Sequence, residues 1–498
     1  MYSKSVDNLS YNNYNTVKSV NAAKVQNNLA AKISAPNFTS NPMMSQISFS
    51  SAQSTPTIRT ELVSKEEKAK YSELTSLVDK ETKRQLNTLL KNGILLNSDS
   101  NDKSTTLDNL YKIAKNQRAQ GLSKEGILKD TINTISDPHI ITQQFGNIPD
   151  KYQQMARNAE GNNSEDINVE HSGTCVASSI EFNLAQKHPA EFARFAEGLS
   201  SPQMSVNKTI KLNNLADNTL DAIWLLNAFE VPYQANDFNE AALKFAPDKK
   251  AIIRAQIQTV DKDKLERSPL DVLMQSTFMQ VGSQQSYDTL TDKRAGKFNQ
   301  NDKGLIEFEK TFTESVVEDK NKISVTYQTV DDNARLVGYE TDFNTMKKQI
   351  TDALKLGENV IIGYTQVDAS GTIINGHEIT IIGTRTDKNG KMMFICNDTD
   401  DNVPRSIEYS EDFLLPKIHH AALPQSVVKN DIQLVENWVE GLKTYKELKK
   451  KQNTQNQTPT QNSQQPQPQQ PQQLQQQYQP QPQTVVHEQN YIGLGQIA

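Results

Sequence analysis

At 498 residues the chain has room for about three domains, but only 35% of it is hydrophobic and its mean hydropathy is -0.67, so part of it lies outside any packed core. A net charge of -6 and a pI of about 5.8 argue against a nucleic-acid binder, whose domain pI usually exceeds about 9. Two cysteines exclude a disulfide scaffold and a four-thiolate zinc site, and no uncharged apolar run reaches the about 18 residues that span a bilayer.

Residues 1–58 hold 11 Ser and 9 Asn with few aliphatics and no clear period, which predicts a disordered arm. The arm has no apolar stretch of signal-peptide type, so a cytoplasmic protein is the default expectation, with signal-independent export left open. Residues 59–137 predict a small helical bundle. Ser64-Lys65-Glu66-Glu67 reads as a capping box. One stripe then runs through Tyr71, Leu74, Leu77, Val78, Leu86, Leu89 and Leu90 to a stop at Gly93. A second helix is expected from Thr105 or Thr106 to Gly121, and a third from Ser123 to Ile135, ended by Asp137-Pro138.

Residues 138–428 mix helical and strand patterns. Helices are expected from Cys175 through Ile180 and Leu184, over Leu220–Phe229, and over 345–356. Strand signals come late, at 359–365, 378–383 and 391–396, the last two forming a hairpin through Asp387-Lys388-Asn389-Gly390. A helical front half followed by an antiparallel back half is an α+β order. Residues 429–451 predict a charged helix around Trp438. The tail, 452–498, opens with 17 Gln and 6 Pro in the 33 residues to Thr484. Such a segment cannot offset its chain entropy by burial. Its apolar end, Val485–Ala498, is either a frayed terminus or a docking peptide for a protein partner.

The chemistry concentrates around Gly173-Thr174-Cys175-Val176-Ala177-Ser178-Ser179. A cysteine in the first turn of a helix sits where aligned peptide dipoles favour thiolate, and Gly173 permits the sharp turn that exposes it. Gly376-His377-Glu378-Ile379-Thr380-Ile381-Ile382-Gly383 places a histidine at the head of an alternating strand. Across the hairpin, Phe394-Ile395-Cys396-Asn397-Asp398 brings Asn397 or Asp398 beside that histidine, since paired strands lie about 4.8 Å apart. Either side chain can fix the tautomer of the ring and leave its other nitrogen for a thiol.

These three stretches resemble the nucleophile, histidine and asparagine segments of papain-like cysteine peptidases, in the same order, as in a divergent bacterial member of that superfamily. The resemblance covers roughly 170–190 and 358–400. It implies a papain-like fold with an insertion around 230–330. It also implies Cys175 as nucleophile, His377 as general base and acid, and Asn397 as orienter, with Asp398 as competitor because related bacterial peptidases and transglutaminase-like enzymes use Asp there. The family's oxyanion-hole Gln falls on Val169, so the neighbouring Asn168 is the candidate donor, with Gln153 and Gln154 as further options. Val176 replaces the family's aromatic residue, and Asp398-Thr399-Asp400-Asp401 stands where its Trp follows.

The expected activity is hydrolysis of peptide or amide bonds in a protein or peptide substrate through a thioester, with no metal or organic cofactor. One alternative is a transglutaminase-like acyl transferase or glutamine deamidase; another is an inactive papain-like interaction protein. Ile379 stands where a transglutaminase-like site would carry an aromatic residue, which favours the peptidase. The helical bundle occupies the place of an inhibitory prosegment or of a substrate-docking domain. Cys396, mid-strand among Met and Phe, reads as core. His171 reads as structural. His419-His420 lacks a ligand partner at helical spacing, so no metal is assigned to it. The run from Asn299 places Lys310 where a calcium loop needs Glu, and the run from Asp99 has Ser104 where it needs Gly. Asp398, Asp400 and Asp401 read as an exposed loop.

Overall fold

The computed structural model describes residues 58–146, 148–150, 172–211, 240–257, 265–283, 285–294, 304–305, 307–331, 333–401 and 404–428. The tail, the charged helix, the helix expected over Leu220–Phe229, Asn168, His171, Gln153, Gln154 and nearly all of the N-terminal arm lie outside the described residues.

Local chemistry places the first helices. The Ser64 hydroxyl accepts from the Glu67 amide at 3.0 Å, and Glu67 accepts from the Ser64 amide at 3.0 Å. This capping box opens α1, Lys65–Leu77. The stripe that predicts one helix to Gly93 is in fact two. Val78 turns extended, and Asp79 accepts from the Thr82 amide at 2.8 Å to open α2, Lys80–Lys91. A fresh N-cap in mid-stripe ends one helix and starts the next, and Leu77 is left 48% exposed while Leu74, Leu86 and Leu89 are buried. Thr105 caps α3, Thr106–Lys115, which stops short of Gly121. There the chain leaves the helix to dock: the Ala119 amide donates to Ser200 O, and Arg118 Nη1 donates to Glu197 O and the Ser200 hydroxyl. Ser123 caps α4, Lys124–Ser136.

Two long helices follow, α5 (Cys175–Lys187) and α6 (Pro189–Leu199). Two strands then precede the expected ones: β1 (Val206–Lys211) pairs antiparallel with β2 (Glu240–Phe245). Next come α7 (Ala251–Ile257), α8 (Pro269–Gly282), the hairpin of β3 (Tyr287–Asp288) and β4 (Lys293–Arg294), and α9 (Glu307–Glu318). The back half holds β5 (Lys322–Thr326), β6 (Gln328–Val330), β7 (Leu336–Tyr339), α10 (Phe343–Lys355), β8 (Val360–Val367), β9 (Ile373–Thr386), β10 (Met392–Asn397), β11 (Ile407–Ser410), α11 (Glu411–Leu414) and β12 (Ile418–Pro424). The molecule is therefore α+β. Among the described residues the main sheet has six strands in the order β11-β10-β9-β8-β12-β5, every neighbouring pair antiparallel.

The sheet is covered on both faces. Val360, Ile362, Ile379, Ile381 and Phe394 pack with Met346 and Ile350 of α10. Ile361 points the other way, into a large apolar cluster that runs from α1–α4 through α5, α6, α8 and α9. Alternation along β8 thus joins two cores. No helix among the described residues is long and apolar enough to cross a membrane.

Gly363 of β8 lies between Glu378 of β9 and His420 of β12. A Cβ there would stand 2.2 Å from the His420 ring. Because that ring is packed between strands, Gly363→Ala should cost about 1–3 kcal/mol through overpacking. Urea unfolding should show a lower midpoint at unchanged slope.

Candidate active site

Cys175 is the first residue of α5 and is partly exposed. The residue before it, Thr174, sits at the N-cap but gives no side-chain cap. Its hydroxyl donates instead to Gln275 Oε1 of α8 at 2.8 Å. Gln275 Nε2 in turn donates to Thr142 O and to Glu181. The first-turn amides are therefore left uncapped by Thr174, beside the thiol. An uncapped helix start of this kind favours an anion.

The turn before the thiol is held from far away. The Gly173 amide donates to Asp292 Oδ2 at 2.6 Å, and the Tyr287 hydroxyl donates to Asp292 Oδ1 at 2.6 Å. Asp292 is fully buried with φ at 56°, a left-handed conformation that costs a non-glycine residue about 1–3 kcal/mol. Nothing in the sequence around Asp292 marks it as a partner of residue 173, 119 positions earlier.

His377 lies on β9, level with Tyr364 of β8. Its ring Nε2 is 2.7 Å from Asp398 Oδ1, with both side chains 16% exposed. The Cys175 thiol lies close enough to the ring to favour its charged form. Nε2 is the nitrogen that Asp398 engages, which leaves Nδ1 as the other ring nitrogen. Burial works against charge on the ring, but Asp398 and Cys175 together outweigh it and hold His377 well above the ordinary imidazole value. Burial likewise opposes the Asp398 charge, and the His377 ring overrides it, so the carboxyl stays below its usual range.

Of the two candidate orienters the sheet presents Asp398 and withdraws Asn397. Between Ile395 and Cys396 the β9–β10 register shifts: Gly383 faces Ile395, but Ile381 faces Cys396, leaving Ile382 as an extra residue. Asn397 then falls opposite Thr380, and Asp398, one step on, takes the face that Ile379 and His377 share. In an unbroken ladder Asn397 would have been level with Ile381 and on that face. A one-residue shift exchanges every side chain between faces. Asn397 is 2% exposed, and its amide nitrogen has no hydrogen-bond partner among the described residues.

The acid is braced in its turn. Asp398 Oδ1 accepts from the Asp400 amide at 2.9 Å. The Thr399 hydroxyl is 2.7 Å from that of Ser178 on α5, and Thr399 O accepts from the Gln143 amide at 2.9 Å. Gln144 Nε2 donates to Asp400 O at 3.0 Å. Helix, acid loop and the 142–144 segment are thus fastened together. Cys396 lies in the sheet core, where burial pushes its thiol up, away from ionisation.

The arrangement holds a sulfur, an imidazole and a carboxylate in sequence at a helix start. A scan against protein-family models gives no match to this chain, and a search of curated proteins gives none either.

Proposed function

We propose that the chain is a cysteine peptidase or amidase of papain-like fold, working through Cys175, His377 and Asp398. The observation that carries this reading is the 2.7 Å contact between the His377 ring and Asp398, with the Cys175 thiol at the start of α5 close enough to the ring to favour its charged form. In the reaction the Cys175 sulfur attacks the scissile carbonyl carbon and a C–S bond forms. His377 then protonates the leaving nitrogen as the C–N bond breaks, giving an acyl thioester and a free amine. Water, deprotonated by His377, attacks the thioester, and the acid leaves as the thiol is restored. The Cys175 amide, in an uncapped first turn, supports a role as one donor to the developing oxyanion.

Hydrolysis is preferred to acyl transfer or deamidation. Incubating the enzyme with a Gln-containing peptide and a primary amine separates these outcomes, since a crosslinked product requires transfer, a Gln converted to Glu at unchanged peptide length requires deamidation, and a shortened peptide requires peptide-bond hydrolysis.

The reactive thiol should also declare itself directly. Iodoacetamide at pH 6 should alkylate Cys175 about a hundredfold faster than Cys396, given the imidazolium and helix start on one side and an apolar sheet interior on the other. A peptide vinyl sulfone should add once, at Cys175, by intact mass and peptide mapping. Modification of Cys396 first, or of neither thiol before unfolding, sinks the proposal.

A further inference from the structure

The residue after the catalytic base serves a second cluster, on which the activity proposed above does not draw. Glu307 opens α9, and Glu378, His419 and His420 come from β9 and β12. His419 and His420 are neighbours, which on a regular strand would point to opposite faces. The pairing of β12 with β8 shifts register between Ile418 and His420, and that irregularity turns both rings toward one point. His419 Nδ1 lies 2.8 Å from Glu307 Oε1, His420 Nδ1 lies 3.3 Å from the same oxygen, and the two Nδ1 atoms are 2.9 Å apart. Glu307 and His420 are buried, and His419 is 14% exposed in its side chain.

The outer groups are arranged to match. His420 Nε2 lies 3.0 Å from Glu378 Oε1, reaching across Gly363, the residue whose missing Cβ makes room for the ring. The contact is a close approach of opposite charges rather than an aligned hydrogen bond, and with Nε2 on the Glu378 side, Nδ1 is the ring nitrogen on the side of the centre. Carboxylate partners of this kind orient metal-binding histidines. The other Glu378 oxygen is taken by Lys310 Nζ at 3.0 Å, and Glu307 Oε2 accepts from Thr326 Oγ1 at 3.1 Å. Each carboxylate is thereby held by one oxygen, with Glu307 Oε1 left for the two rings.

We propose that Glu307, His419 and His420 form a binding site for a divalent transition-metal ion of the zinc type. The three ligand atoms stand 2.8–3.3 Å apart. Ligands about 2.0–2.1 Å from a common zinc ion are about 2.8–3.0 Å apart at a right angle and about 3.3–3.4 Å apart at the tetrahedral angle, so a small opening of the triangle seats one ion. A shared proton serves one pair of these atoms at a time, whereas a metal ion serves all three. Two imidazoles and one carboxylate suit zinc over calcium or magnesium, which take oxygen ligands. Water completes the shell on the side where His419 meets solvent. The ion would clamp α9 to β12 and, through Glu378, to the strand that carries His377.

The test uses the full chain with Cys175→Ser, so that the active-site thiol contributes nothing. After chelator treatment, zinc chloride is titrated in competition with a chromophoric chelator. The expected result is one equivalent bound, with micromolar or tighter affinity, equally in wild type and C175S. Glu307→Gln and His419→Gln should each weaken binding at least a hundredfold, and Glu378→Gln about tenfold to a hundredfold. X-ray absorption of the zinc-loaded wild type needs no variant to fold. It should show two imidazoles and oxygen, with no sulfur at about 2.3 Å. Absence of micromolar binding, unchanged affinity in H419Q, or sulfur in the shell overturns the proposal. None of these outcomes depends on whether Cys175 is catalytic.

Discussion

Asp398→Asn should slow acylation of Cys175 by about a hundredfold to ten-thousandfold, while Asn397→Ala should slow it less than about tenfold. The two residues are adjacent, and the 2.7 Å contact from His377 Nε2 goes to Asp398. Single-turnover release from a peptide thioester or anilide measures the step. The pH profile adds a second readout. His377 stays protonated well above the ordinary imidazole value because Asp398 and Cys175 outweigh its burial. Without the carboxylate the ring loses its proton at lower pH, so the alkaline limb of kcat/KM should move down in Asp398→Asn.

Stability follows the same pair with opposite signs. The raised ring value contributes stability that is complete below about pH 6.5, the unfolded imidazole value, and is lost as pH rises through the folded value. The depressed Asp398 value contributes stability that is complete above about pH 3.9 and is lost as pH falls through the folded value. The stability gap between wild type and Asp398→Asn should therefore be widest between about pH 4 and pH 6.5. Equal rates for the two variants, or an unmoved alkaline limb, would remove Asp398 from the role given to it.

Glu309→Leu should be strongly destabilising. Glu309 of α9 and Arg294 of β4 form a bidentate pair, Nη1 to Oε2 at 2.6 Å and Nη2 to Oε1 at 2.5 Å, with side chains 1% and 0% exposed. Losing the carboxylate leaves the buried guanidinium without its bidentate partner. The cost of breaking such a pair is about 3–5 kcal/mol, or roughly 10 °C in melting temperature. Arg294→Met combined with Glu309→Leu should recover much of that loss, because an apolar pair of similar volume removes both charges. Differential scanning calorimetry of the single and double variants decides it. A double variant no better than the single would mean that shape, not charge, dominates at this site.

Local chemistry was legible and long-range geometry was not. The Ser64–Glu67 box, the Ser123 cap and the start of α5 at Cys175 are written in four-residue patterns, and the structure has all three. The break at Val78–Asp79 is also local, but an unbroken apolar stripe hides it. Asn397 and Asp398 cannot be told apart in the sequence, because the extra residue at Ile382 that decides between them carries no residue signature. Asp292 and Glu307 are harder still. Their partners, Gly173 and His419–His420, lie more than a hundred positions away, and no periodicity links them.

The hydrogen bond from Gly173 to Asp292 also ties the fate of one loop to another. The β3–β4 hairpin contributes no atom to the sulfur–ring–carboxylate relay, yet it anchors the peptide immediately upstream of it. Anything that tugs on that hairpin, whether a docked protein or a shortened loop, is felt at the mouth of α5. Cys175 is thus tethered to a remote handle as well as seated in its own helix.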